Sequence, residues 1–123
     1  MVRRVLLIED EPSIIEAIRF ILTRDGWAVQ THSEGVTAAA RVREAKPQVV
    51  ILDVMLPGRS GFDILDELRA DPSTAALPVL LLTAKGLAAD RERALRSGAT
   101  RYMTKPFSNS EVLASVNALA GGP

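Results

Sequence analysis

Glu9-Asp10, Asp53, Thr83 and Lys105 each stand where a short strand-like segment gives way to polar chain, and their side chains suit one kind of chemistry. Three carboxylates in one crevice repel one another unless a cation sits among them. The sequence has no Cys and a single histidine, His32, so the available ligands are oxygens. Oxygen-only sites favour Mg2+ or a similar hard ion that keeps several of its waters. Lys105 offers a compact positive charge to an anionic oxygen, and Thr83 a small rotatable donor. A metal, a lysine, a hydroxyl and a free carboxylate together suit phosphoryl transfer, with the carboxylate as acceptor.

Taken singly, each residue has a plainer role. Glu9, Asp10 and Glu11 precede a helix whose dipole acids complement. Asp53 caps a turn, Thr83 caps a helix and Lys105 is a solvated charge on those readings. Only convergence in space overturns them together, and convergence depends on the elements that carry them.

Val5-Leu6-Leu7-Ile8 is a continuous apolar run of the kind found in strands buried on both faces. Pro12 opens a helix with Ile14, Ile15, Ile18, Ile21 and Leu22 at helical spacing, stopped by Gly26. Trp27 to Gln30 predicts a less apolar strand at an edge. Ser33 predicts a cap for a second helix through about Lys46, closed by Pro47. Val49 to Leu52 is the third strand, and Phe62, Leu65 and Leu68 stripe a third helix beyond a loop marked by Pro57, Gly58 and Gly61. Pro78 to Leu82 is the fourth strand, followed by a helix ending at Gly98 as a left-handed cap. A strand at Arg101-Tyr102-Met103 and a helix from about Ser108 to Ala120 complete the chain. Five strands alternating with five helices predict an α/β, doubly wound, flavodoxin-like (βα)5 fold with a parallel sheet in the order 2-1-3-4-5. Its switch point between strands 1 and 3 gathers the strand ends on one edge.

At 123 residues, with 47% hydrophobic and 24% charged side chains, the chain has the size and balance of one globular domain. Fifteen basic and fifteen acidic residues cancel, so no net field favours nucleic acid or an anionic membrane. The segment before Glu9 is too short for a secretory signal, and no apolar run approaches the roughly 20 residues that span a bilayer. The expectation is a cytoplasmic domain over residues 1–120, with 121–123 a tail or the start of a linker, and no direct nucleic-acid or membrane binding.

The chain resembles the receiver domains of two-component response regulators over essentially its whole length. Four blocks carry the resemblance in order: Glu9-Asp10, Asp53-Val54-Met55-Leu56-Pro57 with Gly61, Thr83-Ala84, and Lys105-Pro106-Phe107. The resemblance implies that Asp53 accepts a phosphoryl group from a phosphohistidine on a sensor histidine kinase or phosphotransfer protein, catalysing its own phosphorylation and dephosphorylation. It implies Mg2+ or Mn2+ held by Asp10, Asp53 and the backbone carbonyl of Met55, with Glu9 acting through metal-bound water. Thr83 and Lys105 would hold phosphoryl oxygens, and Tyr102 matches the switch aromatic, rotating inward when Thr83 is drawn to the phosphoryl group. Met55 and Lys85 would border the path of a hydrolytic water. The Lys105–Pro106 bond is expected to be cis.

Motif spacing is nearest to the winged-helix transcription-factor subgroup. That subgroup commonly has an acidic pair after the Gly-Ala before strand 5 and a basic residue midway along the last helix, which stitch a symmetric dimer. Here those positions hold Thr100-Arg101 and Ser115. An effector domain or downstream protein is therefore expected on the helix 4–strand 5–helix 5 face, where Arg91, Arg101 and Ser115 would lie. Phe20 either joins Ile14 and Ala17 in an apolar patch near Phe107, on the side that resembles the kinase-docking surface of receivers, or packs over a neighbouring helix.

Three rivals are weaker on their residues. A nucleotide or flavin module needs glycines and an open helix N-terminus where Glu9-Asp10-Glu11-Pro12 stands. An aspartyl phosphatase typically carries a second Asp where Met55 lies. A degenerate receiver acting only as an interaction module is disfavoured by intact Asp53, Thr83 and Lys105.

Overall fold

The computed structural model describes residues 3–83 and 88–121. Its elements follow the predicted alternation: β1 (Arg3–Ile8), α1 (Pro12–Arg24), β2 (Trp27–His32), α2 (Ala38–Ala45), β3 (Val49–Asp53), α3 (Gly61–Ala70), β4 (Val79–Thr83), α4 (Ala88–Arg96), β5 (Arg101–Thr104) and α5 (Asn109–Leu119). All the pairings are parallel and the strand order is β2-β1-β3-β4-β5. No described helix is long and apolar enough to cross a membrane.

Period-two alternation divides the core into two layers. Leu6, Ile8, Val50, Leu52, Val79 and Leu81 point to the face covered by α2, α3 and α4. Val5, Leu7, Val49, Ile51, Leu80 and Leu82 point to the face covered by α1 and α5. All five residues of β3 and of β4 are buried, which explains why these segments read as unbroken apolar runs. β2 and β5 are the edges and are only partly covered.

The helix ends carry ordinary signals. Pro12 starts α1, and Gly26 after it takes φ +92. Ser60 caps α3 by accepting from Phe62 N–H, and Ser108 with Glu111 forms a reciprocal capping box on α5. Gly98 has φ +89, as a left-handed cap requires.

Two expectations need correction. The second helix does not start after Ser33; it spans Ala38–Ala45, with Thr37 at its cap. The intervening chain is committed to the neighbouring loop: Gly35 N–H donates to Pro57 O at 3.1 Å. A Cβ on Gly35 would stand 2.6 Å from the Arg59 carbonyl oxygen. Ser115 does not lie on an exposed face either. It is buried, with its hydroxyl 3.8 Å from Met103 Sδ, because it shares the sheet-facing side of α5 with Val112 and Val116.

Candidate functional site

The carboxyl ends of β1, β3, β4 and β5 meet at one edge of the sheet, and four of the five chemically suited residues are held there by the strands themselves. Glu9 follows β1, and its backbone N–H donates to His32 O at the end of β2. Asp53 is the last residue of β3 and only 2% exposed. Thr83 is the last residue of β4, buried, and its hydroxyl donates to Met103 O across to β5 at 3.4 Å. Lys105 follows β5, with a cis peptide bond to Pro106.

Lys105 Nζ stands 3.1 Å from Glu9 Oε1 and 3.2 Å from Asp53 Oδ1, so one ammonium bridges two buried carboxylates. Asp53 Oδ1 also accepts from Met55 N–H at 3.3 Å, which folds the chain after β3 back over the carboxylate. Glu9 Oε2 accepts from the backbone N–H groups of Asp10 and Glu11 at 3.0 and 3.1 Å. The acids at the head of α1 are thus tied to their own turn. Glu9, Asp10 and Asp53 each offer an oxygen within 4.8 Å of the others, with Asp10 the exposed member.

The charges at this edge are incompletely balanced. Glu9 is fully buried, and burial pushes its carboxyl up to about 7, with Asp53's charge adding to the rise against the pull of the Glu11 N–H and Lys105. Burial alone would depress Lys105, but the carboxylates of Asp53 and Glu9 outweigh it and hold the ammonium above its ordinary value. Among the described residues Glu9 Oε1 is the buried side-chain polar atom without a hydrogen bond; Lys105 faces it only as an ion. An all-oxygen cluster of two buried carboxylates and one exposed one suits a hard divalent cation.

The loop after β3 is held by close backbone approach, a feature the sequence marked only as a glycine. Gly61 N–H donates to Val54 O at 2.9 Å. A Cβ there would lie 2.8 Å from Val54 Cα, 2.9 Å from Asp53 C and closer still to the Asp53 carbonyl oxygen. Met55 itself is 70% exposed. Lys85, and Ala84 of the Thr83-Ala84 block, lie outside the described residues.

Beside Lys105 a groove of about 510 Å³ is lined by Ser13, Ile14 and Ala17 of α1 and by Pro106, Phe107 and Asn109. Ile14, Ala17 and Phe107 therefore come together as expected. Phe20 does not join them: it is 58% exposed, lines a separate hollow with Arg19 and Thr23, and lies under the Arg24 guanidinium, 5.5 Å from the ring centroid. It points away from the groove because it sits on the outward side of α1, opposite the buried Ile18 and Leu22. Tyr102 is half-buried on β5, with Arg91 of α4 5.8 Å from its ring centroid. Arg101 is exposed beside it. Thr100 is engaged elsewhere, its hydroxyl oxygen accepting from Val79 N–H at 3.0 Å and from Arg69 at 3.3 Å.

Comparison with known proteins agrees with this geometry. Residues 5–117 match the family described as the response regulator receiver domain. The probable transcriptional regulatory protein TcrX of Mycobacterium tuberculosis is 45% identical over 94% of this chain and 48% of its own length. The phosphate regulon transcriptional regulatory protein PhoB of Escherichia coli is 39% identical over 97% of this chain and 52% of its own. The chain thus spans about half the length of these curated relatives. Among solved structures, the receiver domain of a Pseudomonas aeruginosa sensor histidine kinase, described with a magnesium ion coordinated in its active site cleft, superposes with TM-score 0.89 at 28% identity, covering 99% of this chain and 100% of that one. Vibrio cholerae chemotaxis protein CheY4 gives 0.88 at 27%, covering 97% and 99%. Fold, strand-end residues and relatives converge, and the chain belongs to the response regulator receiver domain family.

Proposed function

We propose that Asp53 is the phosphoacceptor of this domain, taking a phosphoryl group from a phosphohistidine on a sensor histidine kinase or phosphotransfer protein. The observation that carries this reading is the buried Asp53 carboxylate, with Lys105 at 3.2 Å and two further acids offering oxygens within 4.8 Å. In the transfer a carboxylate oxygen of Asp53 forms the new O–P bond as the N–P bond to the donor imidazole breaks, and the bonding pair leaves with the donor nitrogen. Such a step needs alignment and charge neutralisation more than a strong base.

Asp10, Asp53 and the Met55 carbonyl would hold Mg2+ or Mn2+, with Glu9 acting through a metal-bound water. The ion supplies neutralisation of the charge that accumulates on the phosphoryl oxygens. Lys105, already against Asp53, neutralises another of those oxygens, and the Thr83 hydroxyl turns from Met103 O to donate to a third. Tyr102 then moves inward, remodelling the face formed by α4, β5 and α5. An effector domain or downstream protein reads that face in a cytoplasmic setting, without nucleic-acid contacts from residues 1–120. Hydrolysis returns Asp53 to its free state.

The test is labelling by acetyl phosphate with and without Mg2+, read by intact-protein mass spectrometry. The parent should gain one phosphoryl group only with the ion, and Asp53→Asn should gain none. Mg2+-dependent labelling of Asp53→Asn at the parental rate removes the assignment.

A further inference from the structure

Residues 54–60, between β3 and α3, form no regular element, yet this stretch carries the Met55 carbonyl. Its first half is tied by backbone. Val54 O accepts from Leu56 N–H at 3.2 Å and from Gly61 N–H at 2.9 Å, and Met55 N–H donates to Asp53 Oδ1. Its second half has no such ties of its own. Pro57 lacks an N–H, and the N–H groups of Gly58, Arg59 and Ser60 donate to no described backbone carbonyl. The hydrogen bonds that hold this half reach outside the loop: Gly35 N–H donates to Pro57 O at 3.1 Å, and the Arg59 side chain bonds to α3.

Arg59 grips α3 as a fork. Nη1 donates to Glu67 Oε1 at 2.5 Å and Nη2 to the Asp63 carbonyl at 3.2 Å. Glu67 Oε2 in turn accepts from Arg43 of α2 at 3.3 Å, and Arg43 reaches Asp71 at 3.4 Å. Cations and anions alternate along this chain, which runs from the loop over α3 to α2. A planar guanidinium fixes both the direction and the distance of a two-pronged contact. The Arg59 and Glu67 side chains are 30% and 37% exposed, so the ion pair adds little to overall stability. What it constrains is the half of the loop with no backbone ties of its own.

We infer that Arg59 is a positioning residue for the metal site: by clamping the far half of the loop to α3 it fixes where the Met55 carbonyl stands. The inference rests on the metal reading given above for Asp10, Asp53 and Met55. Groups that orient a metal's ligands from outside contribute about ten- to a hundredfold to affinity. The sign of the effect separates positioning from charge. Arg59 is a cation close in sequence to Met55, and by Coulomb's law its removal alone makes the site more attractive to Mg2+. A loosened carbonyl makes it less so.

Arg59→Ala and Arg43→Ala remove the same charge, and each takes one partner from Glu67, but only the first frees the loop. Calorimetric titration with Mg2+ should show about tenfold weaker binding for Arg59→Ala, and a dissociation constant within about twofold of the parent's for Arg43→Ala. Both should melt within about 4 °C of the parent. In chelator, proton–nitrogen NMR should show the Gly35, Met55 and Gly61 amides exchanging about tenfold faster in Arg59→Ala only. Mg2+ affinity unchanged or tighter in Arg59→Ala overturns the inference, as does equal weakening in Arg43→Ala. Weakening that comes with a larger fall in melting temperature also overturns it. If the parent takes up no Mg2+, the metal reading fails, and the exchange rates in chelator still decide the clamp: unchanged loop amides overturn it.

Discussion

Gly61→Ala places a methyl group where the Asp53–Val54 backbone already stands. The new Cβ would lie 2.8 Å from Val54 Cα, where ordinary contact begins at 3.4 Å, so the two segments must part by about 0.6 Å, and by more at the Asp53 carbonyl. The obstacle is backbone on both sides, and no side chain can swing aside. Overpacking of this kind costs about 1–3 kcal/mol. At about 2.1 cal/mol/K of unfolding entropy per residue, a domain of this length loses about 4–12 °C of melting temperature. The movement falls on the peptide that carries the acceptor carboxylate and on the Lys105–Asp53 approach of 3.2 Å. A displacement near 1 Å in a reacting group costs up to about a hundredfold in rate. Acetyl phosphate labelling at saturating Mg2+ should therefore slow by about ten- to a hundredfold. Thermal melting of the same preparations reads the stability cost. A variant that labels within about twofold of the parent and melts within about a degree of it refutes the close-approach reasoning.

Asp10→Asn should weaken Mg2+ binding by at least about tenfold, measured by calorimetry, because it removes a charged oxygen ligand. It should leave metal-free melting unchanged or raised, since Asp10 is exposed and faces two other acids; a clear fall in melting temperature in chelator contradicts this. Met55→Asn should shorten the phosphoryl lifetime, because an amide orients a hydrolytic water where an exposed thioether gives it no hydrogen bond; equal or slower loss from the variant rejects the idea. Glu67 accepts from Arg59 and Arg43, and the Arg59 guanidinium holds its carboxyl below the usual value. Its contribution is present above the unfolded value of 4.5 and is lost as pH falls through the lower folded value. These side chains are about a third exposed, so Glu67→Gln should cost less than about 1 kcal/mol at neutral pH and flatten the acid limb of stability. A pH profile parallel to the parent's overturns that assignment.

Local pattern made the strands and their polar ends readable in advance. Val49 to Leu52 stops at an acid, Val79 to Leu82 at a threonine, and buried parallel strands leave no other place for such residues than the sheet edge. Helix starts were legible where a proline or a capping serine stood alone, as at Pro12 and Ser108. The start of α2 was not, because Ser33 has capping chemistry but Gly35 is drawn into a hydrogen bond with Pro57, far along the chain. Ser115 matched a surface position by type, yet the register of α5 turns it onto Met103.

By itself the sequence determined the alternation of strands and helices and the polar ends of the strands: periodicity and apolar runs are local, and the right-handed crossover rule demands that the strand order reverse. The order 2-1-3-4-5 meets that demand and is the one observed, and it brings Glu9, Asp53, Thr83 and Lys105 to one edge. Only the tertiary structure decided how those groups divide their contacts. Lys105 is shared between Glu9 and Asp53, the other Glu9 oxygen is taken by the N–H groups of Asp10 and Glu11, and Gly61 has no room for a Cβ. The pairing of Asn117 with Trp27 spans 90 residues of sequence, and no local propensity encodes it. Distances of a few tenths of an ångström between remote segments come from the packing of whole layers, and side-chain type alone does not specify them.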